Sequence, residues 1–121
     1  MIKILVAEDS DTDMKFILDS FKDTGFDLTT ASDGEEAERK VKEGNFDVII
    51  LDVIMPKKNG FQVCRALKQD ENFKRIPIII LTSKTQESDK FWGQKQGADE
   101  YITKPFEQVA LVHAVKKYVG G

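Results

Sequence analysis

The chain has 121 residues, 40% hydrophobic and 32% charged, which is the size and composition of one folded domain over 1–121 and excludes a disordered polymer. Its net charge of −3, with Lys and Arg dispersed among Asp and Glu, lacks the one-sided basic surface that nucleic-acid binding requires, so no direct nucleic-acid contact is expected. A lone cysteine (Cys64), no signal-like N-terminus and no apolar run near the ~20 residues of a bilayer span point to a reducing, cytoplasmic setting without membrane insertion.

Short apolar runs alternate with amphipathic stretches along the whole chain. Ile2–Ala7 is the first expected strand, and Met14, Ile17, Leu18 and Phe21 follow at helical spacing. Asp27–Ala31 is a weaker strand. After it, Glu35/Arg39, Glu36/Lys40 and Glu38/Lys42 are opposite charges four apart, the pattern of an exposed helical face. Phe46–Leu51 is the third strand, and Gly60, Val63, Cys64 and Leu67 form a small-residue stripe on the next helix, with Cys64 as a buried spacer. Ile78–Leu81 is the fourth strand. The stretch Gln86–Gln96 is mostly polar and is the weakest helix; of its aromatics, Phe91 and Trp92, one is expected to face the core. Asp99–Ile102 is the fifth strand, and Leu111, Ala114, Val115 and Tyr118 give the last helix its buried face, leaving His113 exposed on the opposite side.

Strands one, three and four are nearly continuous runs of Ile, Val and Leu, as expected of strands covered on both faces in a parallel sheet. Five such βα units with right-handed crossovers make an α/β, doubly wound domain, whose ligands bind beyond the carboxyl ends of the strands. The residues at those ends are Glu8 and Asp9, Asp52, Thr82 and Ser83, and Lys104 and Pro105. Asp11 and Asp13 fit the start of the first helix, where negative charge meets the helix dipole.

Clustered carboxylates repel one another, and a hard divalent cation relieves the conflict. Magnesium takes oxygen ligands, keeps several waters, and needs only one or two protein carboxylates. Such a site suits phosphoryl transfer, which demands positioning and charge neutralisation, and a carboxylate can serve as its nucleophile. Lys104 and Thr82 are of the right types to neutralise phosphoryl oxygens. Lys104 is expected to face the carboxylates across a gap of phosphate size.

The set Glu8-Asp9, Asp52 followed by Met55-Pro56, Thr82, Tyr101 and Lys104-Pro105 resembles the response-regulator receiver domains of two-component signalling, of the CheY-like single-domain type. The resemblance spans the chain. It implies a flavodoxin-like five-stranded parallel sheet in the order 2-1-3-4-5 with five helices. It makes Asp52 the phosphoacceptor. Asp9, Asp52 and the backbone carbonyl of Ile54 would be ligands of Mg²⁺, with Glu8 reaching the ion through water; Mn²⁺ is expected to substitute. Lys104, Thr82 and the Ser83 backbone would bind phosphate, and Thr82 and Tyr101 would form the coupled switch. Lys104-Pro105 is commonly a cis bond in the family. The implied partners are a histidine kinase or phosphotransfer protein and a downstream protein that docks on the fourth helix, fifth strand and fifth helix. The run SDKFWGQKQGADEYITKPF is similar to the PilH type of twitching-motility regulator.

The sequence departs from the family's fast-hydrolysing members at Ile54 and Lys84, where an apolar side chain and a long cation replace polar or acidic groups beside the attacking water. Slower hydrolysis of the phosphoaspartate is therefore expected. Small Ser83 leaves the site open to a bulky phosphodonor. The protein is expected to catalyse only its own phosphorylation and dephosphorylation and not to be an enzyme on other substrates. The alternative is a pseudo-receiver that binds partners without phosphorylation. A haloacid-dehalogenase phosphatase would need an aspartate where Ile54 stands, and a flavin phosphate would be repelled by the acidic first turn. Met1 and the short Gly120-Gly121 tail are expected of a complete chain.

Overall fold

The computed structural model describes residues 1–120. Five strands, β1 (Lys3–Ala7), β2 (Asp27–Ala31), β3 (Val48–Leu51), β4 (Ile78–Thr82) and β5 (Glu100–Thr103), alternate with five helices. These are α1 (Asp11–Ser20), α2 (Gly34–Glu43), α3 (Gly60–Lys68), α4 (Glu87–Lys95) and α5 (Gln108–Val119). All strand pairs are parallel, in the order β2-β1-β3-β4-β5, so the doubly wound α/β fold is the one observed.

The apolar runs form strands because both faces of the sheet are covered. Ile4 and Val6 join Ile50, Ile79 and Leu81 under α1 and α5, while Leu5 and Ala7 join Ile49, Leu51 and Ile78 under α2 and α3. Every residue of β3 and β4 is buried. The register aligns Ala7 with Leu51 and Leu51 with Ile80, so the residues that follow these strands emerge side by side on one rim. Helix starts are fixed by Ser10, Asp33 and Asn59, whose side chains accept from the amides of Asp13, Glu36 and Gln62.

Four strands differ from expectation at their ends: β1 begins at Lys3 instead of Ile2, β5 runs Glu100–Thr103 instead of Asp99–Ile102, and β3 and β4 differ as follows. The third strand begins at Val48 because the Asp47 carboxylate turns to accept from the Lys3 amide (2.8 Å). The fourth extends to Thr82, whose carbonyl accepts from the Lys104 amide (2.8 Å) and so ties the end of β4 to the lysine beyond β5.

The expectation that Phe91 or Trp92 faces the core is corrected: both are exposed, at 57% and 50%. The residue α4 turns inward is Gly93. A Cβ there would stand 2.9 Å from the Tyr101 ring and 3.5 Å from Ile80, so α4 seats on the sheet only because that position carries no side chain. With glycine on the inner stripe, the two preceding aromatics fall on its outer side and flank.

At the opposite end from the rim, the Lys68 ammonium donates to Asp99 Oδ2 (2.9 Å) and to the carbonyls of Ile76 (2.9 Å) and Lys74 (3.2 Å), while Asp99 Oδ2 also accepts from the Ile78 amide (2.8 Å). One lysine thus joins the end of α3 to the entrances of β4 and β5.

Gly60 packs so closely on the Asp52–Val53 backbone that a Cβ would fall on the Asp52 carbonyl oxygen. Gly60→Ala is expected to lower stability by about 2 kcal/mol or more, measured by urea unfolding, with the loss carried by displacement of the Asp52 strand end. Burial pushes the Cys64 thiol from 9.0 up to about 12, with Lys68 lowering it slightly and Asp99 raising it. The folded state therefore holds the protonated thiol, and that contribution to stability is complete below pH 9 and is lost as pH rises towards 12. Cys64 is expected to resist thiol reagents at pH 8 until denaturant is added, and the alkaline loss of stability should shrink in Cys64→Ala.

Candidate functional site

The rim gathers its charges around one ammonium. Lys104 Nζ donates to Glu8 Oε1 (2.6 Å), Asp13 Oδ2 (2.8 Å) and Asp52 Oδ2 (3.0 Å). Each partner has a backbone reason to be there. Glu8 and Asp52 directly follow the central strands β1 and β3, and the Asp52 amide donates to the Ala7 carbonyl (3.0 Å). Lys104 follows β5 and precedes Pro105 across a cis peptide bond. Glu8 Oε2 also accepts from the Ser10 amide (3.1 Å), and Asp52 Oδ1 from the Ile54 amide (3.1 Å).

Both Glu8 and Asp52 are buried, at 3% and 5% exposure. Burial pushes the Glu8 carboxyl well above the usual carboxylate range, the Asp52 charge pushes the same way, and the hydrogen bonds from Lys104 and Ser10 only partly oppose it. For Lys104, burial favours the neutral amine, but the hydrogen bonds to Asp13, Glu8 and Asp52 outweigh it and hold the ammonium above its ordinary pKa.

Asp9 is exposed and makes no contact with Lys104, yet one carboxylate oxygen from each of Glu8, Asp9 and Asp52 lies within 4.8 Å of the others. An all-oxygen donor set of three carboxyl groups, only partly offset by a single lysine, fits a hard divalent cation. The expected gap between Lys104 and the carboxylates is corrected. The flexible four-carbon stem brings the ammonium onto the oxygens themselves, where charge-assisted hydrogen bonds satisfy its three N–H groups.

Thr82 is fully buried at the end of β4, and its Oγ1 accepts a long bond from the Lys84 amide (3.5 Å). Tyr101, half-buried with Val53, Phe61 and Ile80, donates its hydroxyl to the Lys84 carbonyl (2.8 Å). The backbone of Lys84 therefore connects the two switch candidates. Its side chain lies apart from the Lys104 cluster, 3.7 Å from Asp89 of α4. Ile54 is 54% exposed beside Asp52. Ser83 is exposed and lines a groove of about 460 Å³ with Asp13, Phe16, Lys104, Pro105 and Phe106.

Asp13 is the site residue that sequence reasoning missed, having been assigned to the helix start. It does hold the third position of α1, but helical side chains lean back towards the N-terminus, and from there its carboxylate overhangs the rim. That lean was the available signal.

A buried aspartate at the centre of a doubly wound sheet, a neighbouring acidic pair and a lysine that bonds both define the rim site of a receiver-type domain. The chain belongs to the response regulator receiver domain family, whose sequence profile matches residues 4–116. It is 36% identical to the protein PilH of Pseudomonas aeruginosa over 121 residues, all of both chains. Among solved structures, the Vibrio cholerae chemotaxis protein CheY4 is 34% identical with a TM-score of 0.89 over 98% of each chain. The receiver domain of the sensor histidine kinase PA1611 from P. aeruginosa, which holds a magnesium ion in its active-site cleft, is 28% identical with a TM-score of 0.91, over 99% of this chain and 98% of that one.

Removing the ammonium leaves buried carboxylates uncompensated. Lys104→Met is expected to cost about 3 kcal/mol in urea unfolding at neutral pH. Millimolar Mg²⁺ should return more stability to this variant than to the unaltered protein; an equal response in both would count against a shared charge centre.

Proposed function

We propose that this receiver accepts a phosphoryl group on Asp52 from a histidine kinase, a phosphotransfer protein or a small acyl phosphate, and that the modification changes its affinity for a downstream protein. The observation that carries the reading is the Lys104 ammonium bonded at once to Asp52 and Glu8 (3.0 and 2.6 Å) in a water-poor rim pocket.

In this reading an Asp52 carboxylate oxygen attacks phosphorus in line with the leaving group. The P–N bond of a phosphohistidine, or the P–O bond of an acyl phosphate, breaks, and its electron pair stays with the imidazole or the carboxylate. The Ile54 amide holds Oδ1 and so leaves the carboxylate little freedom to rotate. Lys104 exchanges carboxylate partners for a phosphoryl oxygen, which its single-bond stem permits, and the Thr82 hydroxyl and Ser83 amide supply the remaining hydrogen bonds. Asp9, Asp52 and the Ile54 carbonyl would hold Mg²⁺ or Mn²⁺, with Glu8 one water away; when bound, the ion supplies positive charge to the phosphoryl oxygens.

Relay to the surface follows from the Lys84 backbone. If Thr82 Oγ1 moves towards the phosphoryl group it drops the long bond from the Lys84 amide, and the carbonyl of the same residue is what anchors the Tyr101 hydroxyl. The α4–β5–α5 face, which contains Tyr101, is the proposed output surface. The chemistry is confined to the protein's own aspartate, so it is a switch and not an enzyme on other substrates, and its setting is cytoplasmic. Among the described residues no helix is long and apolar enough to cross a membrane. Nothing in the site favours a phosphorylation-independent module, since the acidic set and lysine are all present.

Acetyl phosphate with Mg²⁺ is expected to add one phosphoryl mass to the intact protein and none to Asp52→Ala; an unmodified protein would sink the switch. Exposed Ile54 offers the attacking water no hydrogen-bond partner, so the phosphoaspartate in Ile54→Asn should decay several-fold faster, followed by mass spectrometry over time.

A further inference from the structure

The two flanks of α4 differ in charge. On the flank towards α3, Trp92 lines a groove of about 420 Å³ with Arg65, Lys68, Gln69, Lys95 and Gln96. No acidic side chain lines it. Four other grooves on the surface carry Asp19 and Asp23, Asp13, Asp99 and Glu100, and Glu8, Asp11 and Glu36 respectively. In a chain with 21 acidic and 18 basic residues, a groove lined by three cations and no anion is a local reversal of sign.

Lys68 is already committed, bonded to Asp99 and two carbonyls with its side chain only 17% exposed. Arg65 and Lys95 are not: among the described residues neither forms an ion pair. Lys95 instead hovers over the Phe91 ring at 5.4 Å. Between these free charges lies half of an indole, the side chain type that, with arginine, carries much of the energy of protein interfaces.

We propose that this α3–α4 groove docks an acidic segment of a partner protein, with carboxylates on Arg65 and Lys95 and an apolar side chain against Trp92. The site lies on the opposite flank of α4 from the β5–α5 face. A nucleic acid fits less well, because two uncommitted cations on a net-negative domain would not hold a long polyanion. The groove is also wired to the rim. Trp92 directly precedes Gly93, whose backbone rides on the Tyr101 ring, so a change in that ring shifts the helix that bears the indole. This coupling, though not the docking itself, rests on the switch reading above.

Trp92 is the only tryptophan, so its fluorescence reports the groove without a label. Titrating a peptide of Asp and Glu interrupted by Leu and Phe should give a saturable blue shift that weakens as salt is raised. A peptide with Lys in place of the acids should give none, and Arg65→Glu combined with Lys95→Glu should weaken binding at least about tenfold. That variant must keep its circular dichroism and its phosphorylation by acetyl phosphate. Absence of a saturable shift, unchanged affinity in the charge-reversed variant, or tighter binding of a single-stranded oligonucleotide would each overturn the proposal. Treating the protein with acetyl phosphate and Mg²⁺ before titration should change the peptide affinity. An unchanged affinity with the mass gain present removes the coupling alone, and a missing mass gain removes the switch while the peptide result stands.

Discussion

One ammonium holds the rim together. Lys104 arrives from beyond β5, Glu8 from β1, Asp13 from α1 and Asp52 from β3, and all meet within hydrogen-bond distance of Nζ. Glu8 and Asp52, both buried, would not tolerate each other as carboxylates without the cation between them. The cluster is a partly neutralised knot, one ammonium among three carboxylates, whose partners can be traded, and a dianionic phosphoryl group would be a competing partner of the same chemical kind as the carboxylates it displaces.

The sheet makes the knot possible by geometry alone. Parallel strands in register end at one level, so residues far apart in sequence are delivered to the same edge with side chains already aimed outward. Gly60 lets α3 press on the Asp52 backbone, and Gly93 lets α4 press on Tyr101. Two missing side chains therefore set the distances between the chemistry and the surfaces around it.

The order of elements and the identity of the rim residues were legible because buried parallel strands are written as uninterrupted Ile, Val and Leu, and because polar residues at their ends stand out. Strand ends slipped by one or two residues where a side chain such as Asp47 replaced a ladder bond. The exposure of Phe91 and Trp92 was hidden because hydrophobicity alone does not orient α4, whereas the fit of Gly93 against the Tyr101 ring on the following strand decides it. Asp13 was hidden for a related reason: its role depends on the lean of a helical side chain over a lysine 91 residues distant in sequence. The link through the Lys84 backbone could not be read at all, since main-chain groups carry no residue-specific signal.

The Lys68 clasp at the other end of the sheet has its own meaning. It pins the entrances of β4 and β5 with four hydrogen bonds that share one lysine and one aspartate, far from anything that exchanges partners. The strands are thus rooted at the foot by a clasp that shares no group with the Lys104 cluster at the head. Were Thr82 to shift, the clasp would keep the root of those strands in place, since none of its four hydrogen bonds involves the rim.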